Sequence, residues 1–131
     1  MFLGTFTPKL LAKGQISLPA KIRSALGADR AVLTTGFEKC IYGFSIEEWN
    51  KLAALELAKP LSSDEGRAIR RKMFAAACEI DTDDQGRFVL PEFLRDYAGI
   101  KEDLVVIGAG DHFEIWSNSE YARISNESTR T

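Results

Sequence analysis

The sequence has very few of the residues that hold metals, form disulfides or carry out catalysis. Its 131 residues include one histidine and two cysteines, and Cys40 and Cys78 are not spaced as a metal-binding pair. We therefore expect no metal site, and we interpret both cysteines as buried apolar residues of a protein in a reducing compartment. The single histidine, His112, lies between Asp111 and Phe113 in an apolar strand pattern, which is typical of a structural histidine.

The chain also lacks the short motifs of common enzymes and any long apolar segment. No nucleophile elbow, phosphate loop, zinc-protease or dinucleotide fingerprint occurs. The carboxylates of Asp81, Asp83 and Asp84 lie beside a turn, where such residues more often shape the turn than transfer protons. No apolar run reaches the roughly 18 residues of a membrane span, and no signal peptide opens the chain. We expect a cytoplasmic protein that is not an enzyme and uses no cofactor.

What the chain does contain is an internal repeat. A shift of 72 residues places GQISLP (14–19) on GRFVLP (86–91), and the register continues without a gap beyond Gly27 and Gly99. Each copy is only about 45 residues without the middle segment, close to the size of about 40 residues below which a domain usually needs a metal, disulfides or a partner to fold. The repeat therefore predicts that the two copies share one core.

Hydrophobic periodicity predicts the element order ββαββα, one helix, then ββαββα. Serine capping signals at 45–48, 62–65 and 117–120 mark three helix starts. The predicted units are then four: residues 1–48 for the first half, 49–76 for a helical insert, 77–124 for the second half, and 125–131 for a polar tail.

The overall charge carries no nucleic-acid signal, but its distribution does. Seventeen basic and 19 acidic residues leave a formal net charge of -2. Residues 1–26 contain no acidic residue and four basic ones, Lys9, Lys13, Lys21 and Arg23. The matching part of the second copy is acidic, with Arg87 as the only basic residue of segment 79–92. The first segment would supply the local positive field that drives counterion release from DNA.

The strongest functional signal is the loop before the second strand of each copy, Lys13-Gly14-Gln15 and Gln85-Gly86-Arg87. A bare glycine lets a phosphate backbone approach, lysine supplies a mobile charge, and glutamine or arginine can bond base edges or phosphates. Alternatively, both segments are ordinary hairpin turns with solvated ends. The repeat favours binding, because two loops related by a pseudo-twofold axis could face one duplex together.

Through KGQISLPAKIR and DDQGRFVLPEFLR the chain resembles the looped-hinge-helix pattern of AbrB-like transcription factors. Two such units in a chain that opens with MFLG resemble the MraZ family over nearly the whole length. The resemblance implies an α+β fold of two swapped-hairpin β-barrel halves that form an intramolecular pseudo-dimer, with helices between and after them. It further implies ring-shaped homo-oligomers, nucleoid association, and repression through double-stranded DNA with short direct repeats upstream of the division and cell-wall gene cluster.

Members of this family typically carry an Asp-x-x-x-Arg signature in each half. The second half keeps it as Asp83 and Arg87, whereas Leu11 and Gln15 occupy the matching positions of the first. An Asp four residues before an Arg can orient the guanidinium through a charge-assisted bond, so we expect Asp83 to orient Arg87. The residues expected at the DNA are Lys13, Gly14, Gln15, Gln85, Gly86 and Arg87, with Lys9 supporting them.

Two other classes of function stay open. The first is a ring-forming structural or protein-interaction module with weakened DNA binding, which the missing Asp/Arg pair and the acidic second loop favour. The second is an antitoxin-like module. Proteins of that kind usually hold a single copy and a longer toxin-binding tail, so the duplicated pattern favours it least.

Overall fold

The computed structural model describes residues 1–129, with side chains through residue 127. In the first half, the elements are β1 (Thr5–Phe6), β2 (Gln15–Ser17), α1 (Ala20–Leu26), β3 (Arg30–Thr35), β4 (Ile41–Phe44) and α2 (Ile46–Leu57). The insert continues with α3 (Asp64–Ile69) and a π-helical turn (Arg70–Phe74). The second half contains β5 (Cys78–Asp81), β6 (Arg87–Val89), α4 (Glu92–Ala98), β7 (Leu104–Gly108), β8 (Phe113–Ser117) and α5 (Asn118–Thr129). The predicted α+β class and element order are confirmed.

The strands pair mostly between the two halves. One antiparallel sheet has the order β1-β7-β8-β4-β3-β5, and β2 pairs with β6 in a separate two-stranded ribbon. Among residues 1–129, only the β3–β4 and β7–β8 hairpins pair within a half, whereas β1–β7, β4–β8, β3–β5 and β2–β6 all join one half to the other. This exchange of strands agrees with the expected pseudo-dimer.

The expected β-barrel closure is wrong. In the described part of the chain, β1 and β5 are the two edges of an open six-stranded sheet and do not pair with each other. A barrel needs a ladder that continues around the whole circumference. Here the bridges at Phe2 and Lys9 extend the contact of the β1 segment along one side only, and the β2–β6 ribbon is a separate sheet, so no ladder among the described residues connects β1 directly to β5.

The ribbon covers a core to which both halves contribute. Ile16 pairs with Phe88 at its centre, and both side chains are buried. The repeat partners Ile22 and Leu94, one from α1 and one from α4, lie in the same cluster at 0% exposure. Since neither copy encloses these side chains alone, the predicted shared core is confirmed.

Three serine caps start the helices α2, α3 and α5. Ser45, Ser63 and Ser117 accept the backbone N–H three residues ahead, at 3.1, 2.9 and 3.1 Å. Each bond satisfies an amide that has no partner inside the first helical turn. Residues 125–129, predicted as part of a polar tail, continue α5, and the last two residues lie outside the described part.

The prediction that both cysteines are buried is confirmed for Cys40 and wrong for Cys78. Both thiols are free; Cys40 is buried, and burial raises its pKa, whereas Cys78 is only partly buried. Cys78 begins β5, an edge strand with one paired neighbour, so one side of it stays open. Across residues 1–129 no helix combines the length and the apolar character needed to cross a membrane.

Candidate nucleic-acid interface

The two candidate loops lie at opposite ends of the β2–β6 ribbon. Each is bonded to the strand that follows the other loop, because Leu90 N–H donates to Gly14 O (2.9 Å) and Leu18 N–H donates to Gly86 O (3.0 Å). The ribbon has one buried and one open face, since side chains alternate along a strand. The open face carries Gln15, Ser17, Arg87 and Val89.

In the second loop, Asp83 organises both the backbone and the arginine. Its Oδ1 accepts the backbone N–H groups of Gln85 and Arg87, each at 2.9 Å, and its Oδ2 accepts Arg87 Nε at 2.8 Å. The bond from the Arg87 backbone N–H is the main reason why the pKa of Asp83 is lowered. The expected Asp83–Arg87 contact is therefore present. It uses Nε, and neither Nη1 nor Nη2 of Arg87 makes a hydrogen bond to Asp83.

The first loop keeps this backbone shape without the side-chain pair. Leu11 N–H donates to Gln15 O at 2.7 Å, the counterpart of the 3.0 Å bond from Asp83 N–H to Arg87 O. Leu11 is 45% exposed and offers no acceptor side chain to Gln15. Lys13 is exposed and has φ = 62°, a left-handed conformation that costs a non-glycine residue roughly 1–2 kcal/mol. The turn therefore holds a strained lysine at the surface. Lys9 is also exposed, and its backbone forms an isolated bridge with Asp103.

Neither loop glycine is open to solvent, because an arginine of the opposite half covers each one. A Cβ on Gly86 would lie 2.2 Å from Arg23 Cδ, and a Cβ on Gly14 would lie 2.9 Å from Arg95 Cζ. Arg23 Nη2 also donates to the backbone oxygen of Asp84 at 2.6 Å. The close approach that these glycines permit is thus made to arginine in this structure, and their approach to DNA stays a prediction.

Arg23 and Arg95 are the residues that sequence reasoning missed. They are repeat partners, on α1 and α4, and each reaches across the pseudo-twofold axis to the other copy's loop. The two arginines contact the loops differently. Arg23 donates a hydrogen bond to a loop carbonyl, whereas Arg95 Nε is buried and has no hydrogen-bond partner among the described residues. Their match in the repeat was the available signal, but it did not show that the contacts cross between halves.

The single histidine lies away from the ribbon and is structural. Its ring nitrogens are 2.7 Å from carboxylate oxygens of Asp111 and Glu114, and its ring stacks on Phe44 with centroids 5.6 Å apart. Burial opposes protonation of the ring, but the bonds to Glu114 and Asp111 outweigh it and raise the pKa of His112. Within residues 1–129, no three His, Cys, Asp or Glu side chains are grouped as metal ligands.

Comparison with known proteins matches the whole repeat. A family model described as an antitoxin-like MraZ protein fits twice, over residues 1–72 and 73–131. The first match ends at residue 72, so its length equals the 72-residue shift of the repeat.

Relatives with the name Transcriptional regulator MraZ align over most of the chain. The protein from Paenarthrobacter aurescens is 45% identical over 127 residues, which are 97% of this chain and 88% of that protein. The protein from Caldicellulosiruptor bescii is 40% identical, over 97% of this chain and 89% of its own length. The protein from Acetivibrio thermocellus is 36% identical, over 97% and 88%. On the doubled family match and these alignments, the chain belongs to the MraZ family.

Proposed function

We propose that this protein is a sequence-specific DNA-binding transcriptional regulator, a repressor that acts in the cytoplasm at the nucleoid. The single observation that carries the proposal is Arg87, which lies on the open face of the ribbon and is held by Asp83 through Nε. The relatives named above carry the name Transcriptional regulator MraZ, which supports the same class of function. No catalytic step is part of the proposal.

The ribbon suits the major groove in size and chemistry. A groove about 12 Å wide admits a two-stranded β-ribbon, and an arginine recognises guanine by donating two bonds to O6 and N7. Arg87 is prepared for this contact because its Nε is already bonded to Asp83, while Nη1 and Nη2 make no hydrogen bond to Asp83 and stay available to a base. Lys9 and Lys13 would contact phosphates, while Gln15 and Gln85 would contact base edges or phosphates. Gly14 and Gly86 would shape the two loops.

We further propose that copies of the chain assemble into a ring and bind short direct repeats upstream of the division and cell-wall gene cluster. Within each chain of the ring, the four proposed units are residues 1–48, 49–76, 77–124 and 125–131. A ring raises the effective concentration of the second and later binding sites once the first is occupied. Spaced repeats would then bind more tightly than one isolated repeat.

A titration of the DNA upstream of the protein's own gene tests the proposal, with fluorescence anisotropy as the readout and the salt concentration varied. Arg87→Ala should weaken specific binding by about 5- to 150-fold, the range for one bidentate base contact. Arg71→Ala is the matched control, because Arg71 is an exposed arginine of the insert and lies outside the ribbon. Unchanged affinity of the Arg87 variant would refute the assignment.

The alternative is a ring-forming structural or protein-interaction module with weakened DNA binding. The observation that favours it is the set of exposed apolar side chains on the insert: Leu55 at 71%, Leu57 at 49% and Leu61 at 65%. Sedimentation velocity separates the two functions when it is combined with the titration. An assembled ring without salt-dependent DNA binding would support the alternative.

A further inference from the structure

The two ends of the ribbon differ in chemistry although the repeat makes them equivalent in backbone. At the second-loop end, Arg87 lies opposite Ser17, and at the first-loop end Gln15 lies opposite Val89. Under the 72-residue shift Arg87 corresponds to Gln15 and Val89 to Ser17. One end therefore presents a guanidinium beside a hydroxyl, and the other presents an amide beside an isopropyl group.

Burial in the core does not explain why Val89 is apolar. Its side chain is 53% exposed, on the face of the ribbon opposite to the buried Phe88. Its counterpart Ser17 has a role in the fold, because the Ser17 hydroxyl donates to Gln85 O at 3.0 Å. Val89 belongs to none of the buried clusters among the described residues. Its exposed isopropyl group is thus available to a ligand on the same face as Arg87 and Gln15.

The cross-strand pair of Gln15 and Val89 matches the major-groove edge of an A·T base pair. Adenine presents an acceptor at N7 and a donor at N6, which an amide side chain satisfies with two bonds. Thymine presents its C5-methyl group, which apolar side chains contact. Directly paired residues on a ribbon have Cβ atoms about 5 Å apart, so the amide and the isopropyl group can approach neighbouring groups in one groove.

We propose that Gln15 and Val89 recognise an A·T pair while Arg87 recognises a G·C pair, so that one subunit binds a site with a direction. This inference rests on the proposed DNA-binding function and identifies Val89 as a specificity-determining residue. The two cross-strand pairs are two residues apart, about 7 Å along the ribbon, so both contacts fall within a few base pairs. A site with a guanine end and an A·T end cannot be its own inverted copy. In the proposed ring, rotation keeps every ribbon in the same sense around the circumference, so successive subunits would bind such sites as direct repeats.

Thymine analogues test the contact to the methyl group. In the duplex from upstream of the gene, each thymine is replaced singly by deoxyuridine, which removes only the C5-methyl, and affinity is measured by anisotropy. The wild-type chain should lose about fourfold at one thymine of each repeat, the equivalent of burying one methyl group. Val89→Ser, which copies the residue at position 17, should bind the thymine and deoxyuridine duplexes equally.

Two controls keep the outcomes distinct. Leu55→Ser removes an exposed apolar side chain of the insert and should keep the fourfold effect. Thermal unfolding of the Val89 variant should remain cooperative with at most a modest fall in Tm, because the residue is half exposed and serine has a lower strand propensity than valine. If Val89→Ser shows the same loss with deoxyuridine as the wild type, or if no thymine is sensitive in the wild type, the inference is overturned while the Arg87 result still supports DNA binding. Absence of any specific, Arg87-dependent binding would overturn both proposals.

A second analogue examines Gln15 independently. Replacing adenines singly by 7-deaza-2′-deoxyadenosine removes the N7 acceptor, which should weaken wild-type binding at one adenine of each repeat. Gln15→Ala should be insensitive at that position. Equal sensitivity of the wild type and the Gln15 variant would remove Gln15 from the proposed A·T contact.

Discussion

Substituting one loop glycine should show how strongly the second loop depends on the opposite half. Gly86 has φ = +75° and its missing Cβ would lie 2.2 Å from Arg23 Cδ. Ordinary contact begins at 3.4 Å, so Gly86→Ala requires Arg23 to retreat by roughly 1.2 Å, the difference between these distances. Because Cδ carries the guanidinium with it, the 2.6 Å bond from Arg23 Nη2 to Asp84 O should break.

The chain contains a matched control for the backbone part of this cost. Gly27 has φ = +70° and a Cβ there would meet no atom of the described residues within 4 Å, so Gly27→Ala carries the conformational strain alone. That strain is about 1–2 kcal/mol for an L-residue in the left-handed region. Gly86→Ala should cost the same amount plus about 1 kcal/mol for the lost hydrogen bond.

Urea denaturation followed by tryptophan fluorescence measures both costs in the free energy of unfolding. Arg23→Ala provides the double-mutant cycle, since Gly86→Ala in that background should cost no more than Gly27→Ala in the wild type. In the DNA titration, Gly86→Ala should weaken binding while Gly27→Ala should not. If Gly86→Ala is no more costly than Gly27→Ala, or its cost is unchanged without Arg23, the bracing across the halves is refuted.

Two further predictions concern the first loop and the histidine. Leu11→Asp with Gln15→Arg rebuilds the Asp/Arg pair, and the slope of log affinity against log salt should steepen by up to about 0.9, the value for one added phosphate contact; an unchanged slope in the anisotropy titration would mean that the first loop does not touch phosphate. Because the folded-state pKa of His112 is raised, its stabilising contribution is complete below the unfolded pKa of about 6.5 and is lost as pH rises through the folded value. Urea denaturation should therefore give a larger fall in stability from pH 6 to pH 8.5 for the wild type than for His112→Gln. Equal falls would show that protonation of His112 does not stabilise the fold.

The repeat and the local signals predicted the order of the elements, because both depend on short-range rules. Proline before α1 and α4, and the serine caps, define helix starts from neighbouring residues alone. Strand exchange between the halves entered only through the resemblance to a family. Barrel closure was predicted wrongly because it depends on long-range pairing of the edge strands β1 and β5, which no local pattern specifies.

The contact within the candidate loop was predicted from the sequence, but the contacts that the other half makes to the loops were not. The Asp83–Arg87 contact follows from a spacing of four residues within one turn, so the motif was enough to predict it. The cover over Gly86 comes from Arg23, and the corresponding hydrogen bond to Asp84 joins residues 61 positions apart. No local pattern specifies such a contact. For the same reason the sequence predicted open glycines where the structure has buried ones.

Fusing two copies into one chain removes a constraint that a homodimer cannot avoid. In a homodimer every substitution appears at both ends of the ribbon, so the ribbon favours a palindromic site. In this chain Gln15 and Arg87 occupy equivalent positions and differ, as do Ser17 and Val89, while the core partners Ile22 and Leu94 stay alike in burial. Packing thus requires the repeat to remain symmetric inside, but leaves its open face free to diverge. A ribbon with two unlike ends can recognise only a DNA site whose two ends also differ. In the proposed ring the ribbons all have the same sense, so the asymmetry of a single chain agrees with the proposed arrangement of its sites as direct repeats.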